Sequence, residues 1–308
     1  MAAVHSIDAF VFTVPDLTEA ERFYAAFGLV PRRVGTTLEL YTEGHAQRWG
    51  VLHELPGARK KLQFLSFACH AADYAAIAAR AHADGLVASE PHPLGSTDGL
   101  WLRHPEGYAV QVVVGPKNSP DAKAPAAAAV APPPGRGAAP ARSAVKPVRP
   151  RRLSHVLLFS GDVDRSAAFF EQALGLRVTD RSGDVIVFMR GIHGSDHHLV
   201  ALAKSDGPGL HHVSWDVATL DDVGLGMEQM LQAGYLQGWG VGRHVLGSNY
   251  FYYVRDPWGS YCEYSFDIDF VPGRYDWPAR DHPIEDSFYV WGPVVPPEFT
   301  QNHETAAR

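Results

Sequence analysis

The sequence predicts an α+β protein built from two similar domains in tandem. Short runs of alternating apolar and polar residues are typical of strands, and segments with apolar residues at helical spacing are typical of helices. The same order of segments occurs twice, at an offset of about 148 residues. A stretch rich in alanine and proline separates the two copies. A chain of 308 residues is long enough for about two domains, so we expect one domain per copy.

The first copy occupies residues 1–115. A strand is predicted over Ile7–Val14 and a helix over Leu17–Phe27, which Gly28 is placed to end. A second helix is predicted over Ala71–Asp84, with a glycine directly after it. The remaining segments are predicted strands: Thr37–Tyr41, Arg48–His53, Lys61–Ala68, Leu100–Arg103 and Ala109–Val114.

Alanine, proline and basic residues dominate residues 116–152, which offer few side chains for a core. This composition is typical of an extended linker between domains. A basic arm that binds an anionic surface is the alternative interpretation. The net charge of -7 on the whole chain argues against it.

The second copy occupies residues 153–270 and repeats the pattern of the first. Gly175-Leu176 corresponds to Gly28-Leu29, and Asn249–Phe266 is predicted to be an aromatic-rich hairpin that turns at Asp256–Gly259. Strands are predicted over His155–Ser160, Val185–Arg190, His198–Ala203 and Leu210–Val217, and helices over Val163–Leu174 and Leu220–Ala233. A tail at 271–308 is too short and irregular for a domain. It is expected to cover a cavity, contact another subunit or wrap the surface.

Composition narrows the class of protein. With 46% hydrophobic and 20% charged residues, the chain is typical of globular proteins. Two cysteines cannot form a disulfide framework, and the N-terminal residues lack the pattern of a signal peptide, so we expect a cytoplasmic protein. No apolar run is long enough for a membrane span, and the acidic net charge argues against nucleic acid as a partner.

The most informative difference between the copies concerns three polar positions in the second one. His, His and Glu of the second copy replace Asp, Phe and Gln of the first. Alignment on Gly28 and Gly175 puts His155 at Asp8, alignment of the strands KLQFLSFA and GLHHVSWD puts His212 at Phe64, and alignment on the turn prolines puts Glu263 at Gln111. The first copy is expected to fold without these side chains. A carboxylate in the middle of a strand is also costly to bury unless a cation holds it. The difference therefore predicts a metal site in the second copy alone.

Two histidines and one carboxylate form the ligand set of non-haem Fe(II) oxygenases, which leaves coordination positions open for substrate and O₂. The alternative is two core histidines and an exposed glutamate. Strand alternation favours His212 over its neighbour His211 as the ligand. It places one face of the strand toward a polar cavity and the other toward helices: Leu210, His212, Ser214 and Asp216 on the first, His211, Val213, Trp215 and Val217 on the second.

Five stretches of the second copy resemble the type I extradiol ring-cleaving catechol dioxygenases of the vicinal oxygen chelate superfamily. They are LSHVLLFSGDVDRSAAFFEQALGL, DHHLVAL, GLHHVSWDV, GRHVLGSNYFYYVRDPWG and YCEYSFD. The resemblance implies two domains, each of paired βαβββ modules curled around a cavity, with the metal only in the C-terminal one. It also implies a role in the degradation of aromatic compounds, and we expect a homo-oligomer.

The resemblance further implies roles for individual residues. His155, His212 and Glu263 would hold Fe(II), or less often Mn(II). Tyr253 matches the family tyrosine that contacts the catecholate, and His244 matches a histidine near the substrate hydroxyl. His198 matches the acid–base histidine beside the O₂ site, and only the resemblance favours it over His197. From sequence alone, the alternatives are a core aromatic at Tyr253 and exposed histidines at 198 and 244.

The predicted substrates are a substituted catechol and O₂. Leu157 and Val245-Leu246 offer an apolar wall. The arginines that would bind a substrate carboxylate have no clear match, and Arg190 and Arg243 are no more than candidates, which argues against an acidic side chain on the substrate. Two other functions stay open on the same fold: a glyoxalase-type metalloenzyme and a non-catalytic protein that sequesters a ligand. Glyoxalase chemistry needs more carboxylate or glutamine ligands, normally shared between two modules or subunits, and Gln111 has no matching histidines in its domain. A sequestering protein has no need of His198, His244 and Tyr253.

Overall fold

The computed structural model describes residues 2–124 and 132–305. The first part of the chain forms a seven-stranded sheet with two helices. Its elements are β1 (Val4–Val14), α1 (Leu17–Ala26), β2 (Val30–Val34), β3 (Thr37–Tyr41), β4 (Gly50–Glu54), β5 (Lys61–Cys69), α2 (Ala71–Ala83), β6 (Leu100–Arg103) and β7 (Ala109–Val114). The strands lie in the order β2-β3-β4-β1-β5-β7-β6.

The later part of the described chain forms a ten-stranded sheet and a separate pair of short strands. Its elements are β8 (Arg152–Ser160), α3 (Val163–Leu174), β9 (Arg177–Ser182), β10 (Ile186–Arg190), β11 (Ser195–Asp196), β12 (Val200–Lys204), β13 (Gly209–Asp216), α4 (Leu220–Gln232), β14 (Gly238–His244), β15 (Tyr250–Arg255), β16 (Tyr261–Phe266), β17 (Phe270–Val271), β18 (Arg280–Asp281), α5 (Ile284–Ser287) and β19 (Tyr289–Trp291). The large sheet has the order β18-β9-β10-β12-β8-β13-β16-β15-β14-β19, and β11 pairs with β17.

The predicted α+β fold of paired modules is confirmed. In each sheet the two modules meet through antiparallel central strands, β1 with β5 and β8 with β13. One module differs from the βαβββ pattern, because only β6 and β7 follow α2. An isolated bridge between Val87 and Leu102 stands where a third strand would lie.

The four long helices begin and end where the residue pattern predicts. Asp162 caps α3 by accepting a hydrogen bond from the Arg165 N–H, and Thr219 forms a capping box with Asp222 on α4. A glycine with positive φ follows each helix, and glycine adopts this conformation without steric penalty. These glycines are Gly28, Gly85, Gly175 and Gly234. None of the described helices combines the length and apolarity needed to cross a bilayer.

One apolar core joins the two sheets. The Phe27 and Tyr264 rings stack with centroids 4.0 Å apart, and the Tyr264 hydroxyl donates to the Phe27 carbonyl. Val148, in the stretch predicted as a linker, is buried in this core, and its N–H donates to Gln229. The middle of the predicted linker, at 125–131, lies outside the described residues. The described end of this stretch therefore packs on the core.

Candidate metal centre and active-site cavity

A single row of residues across the large sheet positions three of the predicted site residues. His155 on β8 is paired with Ser214 on β13, Ser214 with Glu263 on β16, and Glu263 with Tyr253 on β15. Residues paired across neighbouring strands project from the same face of a sheet. The three functional side chains therefore point to one side, away from the helices.

A β-bulge on β13 sets the position of His212. Leu210 pairs with Leu158 and His212 with Leu157, so His211 is the additional residue between them. The prediction that Leu210 shares the face of His212 is therefore wrong, and Leu210 lies in the apolar core. The prediction that His211 packs on helices is also wrong, because the bulge brings it to the cavity side.

The Nε2 atoms of both predicted histidine ligands approach the carboxylate of Glu263. His155 Nε2 lies 3.2 Å and His212 Nε2 lies 3.5 Å from Glu263 Oε2. All three residues are buried, and their ligand atoms lie within 4.8 Å of one another. Within the described ranges, this is the one group of such side chains with the spacing of a metal site.

Two atoms of this group are buried without a hydrogen-bond partner. They are His212 Nε2 and Glu263 Oε2. A buried charge or polar atom without a partner is strongly unfavourable, and a cation between the imidazoles and the carboxylate would satisfy both atoms. The donor set also suits a divalent transition metal, since it combines two imidazoles with one carboxylate. The residues present therefore fit a metal ion.

Hydrogen bonds at the ring nitrogen remote from Glu263 determine which nitrogen of His155 carries the proton. Ser154 donates its hydroxyl to Asp196, at 2.8 Å, and so accepts from His155 Nδ1, at 3.2 Å. Arg152 pairs with the same Asp196 through two hydrogen bonds. His155 therefore carries a proton on Nδ1, which leaves Nε2 free to bind a metal.

His212 is oriented in the same way by its neighbour. His211 Nε2 donates to the Phe299 carbonyl at 2.8 Å, since a carbonyl can only accept. The Nδ1 atom of neutral His211 then accepts a hydrogen bond from the Nδ1–H group of His212, with 2.7 Å between the two nitrogens. Burial and neighbouring histidines hold the pKa of His212 well below its usual value. It is therefore neutral, with the Nε2 lone pair facing Glu263.

Glu263 is ionised despite its complete burial. Burial acts to raise the pKa of this carboxyl, but His155, when its Nε2 atom carries a proton, holds the pKa below its usual value through a hydrogen bond and charge. A metal cation in place of that proton would favour the ionised carboxylate in the same way. Asn249 donates to Oε1 at 3.1 Å and to Ser265 at 3.0 Å, which fixes the carboxylate plane. The centre therefore presents a negative charge with one uncommitted oxygen.

His244 and Tyr253 form a hydrogen-bonded pair beside the metal-type site. His244 Nδ1 donates to the Phe288 carbonyl at 3.0 Å, so the Nε2 atom of the neutral ring accepts from the Tyr253 hydroxyl at 2.9 Å. Burial, and then the charge of Glu263, raise the pKa of Tyr253 well above its usual value. Tyr253 is therefore a neutral phenol whose oxygen lone pairs can accept a hydrogen bond.

His198 lies beside His155. The centroids of the two rings are 4.1 Å apart, and His198 lines the cavity. Burial, and then the neighbouring histidines, hold the pKa of His198 well below its usual value, so it is neutral. His197 is also buried but points away from the cavity, where its Nε2 atom contacts Asp180 at 2.9 Å.

The cavity above these residues has a volume of about 220 Å³. Five of the six predicted site residues line it, and Glu263 is buried beneath them. Most of the remaining wall is apolar: Leu157, Phe159, Val185, Ile186, Phe188, Ala203, Leu246, Ile284, Phe288 and Phe299. Neither Arg190 nor Arg243 is among the lining residues. Lys204 reaches the cavity, but its ammonium is half-exposed and pairs with Asp184.

Several residues of the site do not follow from the sequence pattern. Asn249, which fixes Glu263, stands at the start of the predicted hairpin, and its amide gives no sequence signal of that role. Ser154 and His211 adjoin the ligand histidines, a position that could have suggested them as supporting residues. Phe288 and Phe299 act through backbone carbonyls, which no side-chain motif reveals.

The equivalent face of the first sheet has no such group among the described residues. Phe64, at the position of His212, packs against Trp101 with ring centroids 4.8 Å apart. Gln111, at the position of Glu263, donates to the Asp98 carbonyl. Asp8 is near the position of His155 and accepts from Ser66. These side chains are satisfied without a ligand.

This fold and ligand set define a metal-dependent protein of the vicinal oxygen chelate class. Residues 152–264 match the model of the Glyoxalase/Bleomycin resistance protein/Dioxygenase superfamily. The chain is 52% identical over 302 residues to metapyrocatechase 2 from Cupriavidus necator, covering 98% of this chain and 93% of that protein. It belongs to the family of extradiol catechol dioxygenases in this superfamily, which confirms the resemblance found in the sequence.

Solved structures agree on the fold. A Mn(II)-bound glyoxalase from Novosphingobium aromaticivorans superimposes with a TM-score of 0.74 and 26% identity, covering 95% of this chain and 93% of that chain. Homoprotocatechuate 2,3-dioxygenase from Arthrobacter globiformis superimposes with a TM-score of 0.75 and 20% identity, covering 98% and 92%. The second similarity is one of fold alone.

Proposed function

We propose that this protein opens the ring of a catechol next to its two hydroxyls with O₂, using Fe(II) held by His155, His212 and Glu263. The observation that carries the proposal is the convergence of two imidazole Nε2 atoms on one buried carboxylate oxygen. A bound divalent cation would supply Lewis acidity toward the catechol oxygens and open coordination positions. Mn(II) is the alternative metal for the same ligands.

Tyr253 and His244 would orient the catechol. Because His244 Nε2 accepts the Tyr253 proton, the phenol oxygen keeps its lone pairs for a hydrogen bond from a catechol hydroxyl. The Phe288 carbonyl keeps His244 in the tautomer that this requires. The pair therefore acts as a preorganised acceptor at the edge of the cavity, which favours one orientation of the ring.

His198 would exchange a proton with the reacting oxygens. Its ring is buried beside His155 and is neutral, so it can accept a proton from a hydroxyl and return it at a later step. General acid–base residues contribute about 10²- to 10⁴-fold to a rate. We therefore expect His198→Gln to lower kcat more than KM.

The substrate class follows from the cavity wall. The wall is apolar, and none of the lining residues offers an unpaired Lys or Arg. A carboxylate would lose its hydration here without a cationic partner. We propose catechols with an alkyl, aryl or halogen substituent, rather than a carboxylated side chain.

The test is oxygen uptake by the purified protein after anaerobic loading with Fe(II) or Mn(II). We expect uptake and a yellow ring-opened product with 3-methylcatechol and 2,3-dihydroxybiphenyl, and much weaker uptake with 3,4-dihydroxyphenylacetate. Absence of uptake across the whole panel would refute the dioxygenase proposal. Turnover of a hemithioacetal under nitrogen would instead support the glyoxalase function. Equal rates on carboxylated and apolar catechols would contradict the proposed substrate class.

A further inference from the structure

A second chain of buried polar groups leads away from the cavity behind His198. His198 Nδ1 lies 3.0 Å from His197 Nδ1, and His197 Nε2 lies 2.9 Å from Asp180 Oδ2. All three residues are buried. The roles described above for the cavity residues do not use His197 or Asp180.

Asp180 is held as an acceptor. Its Oδ1 accepts from the Arg280 N–H at 3.1 Å and from His282 Nε2 at 3.0 Å, and its Oδ2 also accepts from Trp277 Nε1 at 3.1 Å. Burial acts to raise the pKa of Asp180, but the hydrogen bonds from His197 and His282 outweigh it and hold the pKa below its usual value. Asp180 is therefore an ionised carboxylate.

An ionised carboxylate can only accept hydrogen bonds, so His197 carries a proton on Nε2. When His197 is neutral, its Nδ1 atom is an acceptor and receives the Nδ1 proton of His198. His198 then has a lone pair on Nε2, the ring nitrogen that remains for the cavity. The carboxylate thus determines, through one intervening ring, which nitrogen of His198 can take a proton.

We propose that Asp180 and His197 are positioning residues that hold His198 in the tautomer with a basic Nε2 atom. The inference rests on the proposed role of His198 in the dioxygenase reaction. The same arrangement provides a group, His197, that can accept the proton displaced from Nδ1 of His198. When Nε2 of His198 takes a proton from a hydroxyl, its Nδ1 proton passes to Nδ1 of His197, which becomes an imidazolium beside the Asp180 carboxylate. His198 is neutral before and after, and the reverse transfer returns the proton.

The arrangement has a physical reason. His198 is buried beside another imidazole, with 4.1 Å between its ring centroid and that of His155, and a buried cation without a counter-charge is unfavourable. His197 instead contacts a carboxylate directly. A proton taken up in the cavity is therefore better accommodated on His197 than on His198. An arrangement of carboxylate, imidazole and acid–base group fixes tautomers in the same manner in hydrolase triads.

The decisive experiment is a double-mutant cycle on the Fe(II)-loaded enzyme with 3-methylcatechol. Asp180→Asn, which keeps the size of the side chain, is expected to lower kcat by about tenfold or more and to leave KM within about twofold. In the His198→Gln background, Asp180→Asn is expected to have no further effect on kcat. Equal losses in both backgrounds would overturn the inference, because a structural role does not depend on His198. His197→Gln is expected to lower kcat in the wild-type background and to have no further effect in the His198→Gln background. It replaces Asp180→Asn in the cycle if that variant does not fold.

The control is Asp281→Ala, which removes the hydrogen bond from the Gly183 N–H to the tail at 2.8 Å and leaves Asp180 with all its partners. We expect it to retain kcat within about twofold. A loss as large as that of Asp180→Asn would show that tail packing, and not the tautomer, controls the rate.

A second measurement is independent of turnover. ¹⁵N spectra of histidine-labelled, metal-free protein report the tautomer of each ring, and His198→Gln assigns the signal. We expect the Nδ1–H form in the wild type and its loss in Asp180→Asn. An unchanged tautomer would overturn the inference. Absence of oxygen uptake by the wild type would refute the proposed function. The ¹⁵N spectra would still test the tautomer of His198, because they do not depend on turnover.

Discussion

Hydrogen bonds to the two histidines that we propose as metal ligands determine which nitrogen of each ring faces Glu263. His155 is held through Ser154, and His212 through His211. Supporting hydrogen bonds of this kind orient metal ligands and fix their tautomers before metal arrives. The residues next to the ligands are therefore expected to influence metal affinity, although they make no direct contact with the ion.

His212→Ala is expected to abolish stoichiometric metal binding, because it removes one of only three ligands. Phe64→Ala, at the matching position of the first sheet, is expected to retain the metal and to lower the free energy of unfolding by about 3–5 kcal/mol through loss of core packing. Metal analysis and denaturant unfolding of both variants provide the measurement. Equal loss of metal from the two variants would contradict a single site.

His211→Asn is expected to weaken metal binding by about 10- to 100-fold, because the ring that fixes His212 is lost. Competition with a chelator measures the affinity. His104→Asn is the matched control, since His104 is an equally buried histidine in contact with Tyr108 and remote from the site. Similar affinities for the two variants would remove His211 from the metal centre.

The sequence predicts the three side chains that converge on one point, but not the residues that support them. Comparison of the two copies identifies His155, His212 and Glu263, because a change from Phe to His at matching positions of a repeated strand can be read directly from the amino-acid sequence. The bulge at His211 is not visible, since strand alternation assumes regular pairing. The carbonyls of Phe288 and Phe299 carry no side-chain signature, and tertiary contacts alone bring them to the site.

At the scale of elements, the tail is part of the site. Phe299 is buried against Tyr253 and accepts from His211. Glu304 accepts from the Leu62 N–H at 3.1 Å and the Leu210 N–H at 2.9 Å, so one carboxyl oxygen joins β5 to β13. Of the three expectations for the tail, cavity coverage describes residues 284–300. Residues 306–308 lie outside the described chain.

Titration of Glu304 makes the free energy of unfolding depend on pH, and the sign of this dependence can be predicted. Burial raises the pKa of this carboxyl from 4.5 to about 7. Between these values the folded protein holds a proton that the unfolded chain releases, so the free energy of unfolding falls as pH rises from about 4.5 through 7.

Glu304→Gln keeps the acceptor oxygen and removes the titration, so the fall in stability over this pH range is expected to be smaller. Unfolding of metal-free wild type and variant across the range measures the difference. Identical slopes would show that Glu304 does not titrate in this window.

Element prediction succeeded where the signal is local. Helix α3 has the predicted bounds, because its cap, apolar spacing and final glycine all lie within Asp162–Gly175. The sequence pattern does not predict seven strands: β2, β9, β11, β14, β17, β18 and β19. They are short or lie near sheet edges, and their pairing partners, more than their own residues, determine that they are strands.

At the scale of the molecule, the first half supports the hairpin that carries Glu263. Lys60, directly before β5, forms an ion pair with Asp256 in the turn between β15 and β16, and both side chains are almost fully buried. Asp256 also accepts from the Trp258 N–H at 2.9 Å. The first sheet therefore contributes directly to the geometry of the turn.

Lys60→Met is expected to lower the free energy of unfolding by about 3–5 kcal/mol, because it leaves the Asp256 charge buried and unpaired. Adding Asp256→Asn is expected to recover part of this loss. Urea unfolding of the single and double variants measures both effects. Additive losses would indicate that the two side chains do not interact.

The pairing of four residues across neighbouring strands has a consequence for how this protein folds. The four are His155, Ser214, Glu263 and Tyr253. If β16 slipped by one residue during folding, Glu263 would turn toward the helices and Cys262 or Tyr264 would replace it in the cavity. A slipped molecule would then be unable to retain the ion. The metal content of a fully loaded preparation is therefore a lower limit on the fraction of molecules whose strands have the native alignment, and an upper limit on the active fraction.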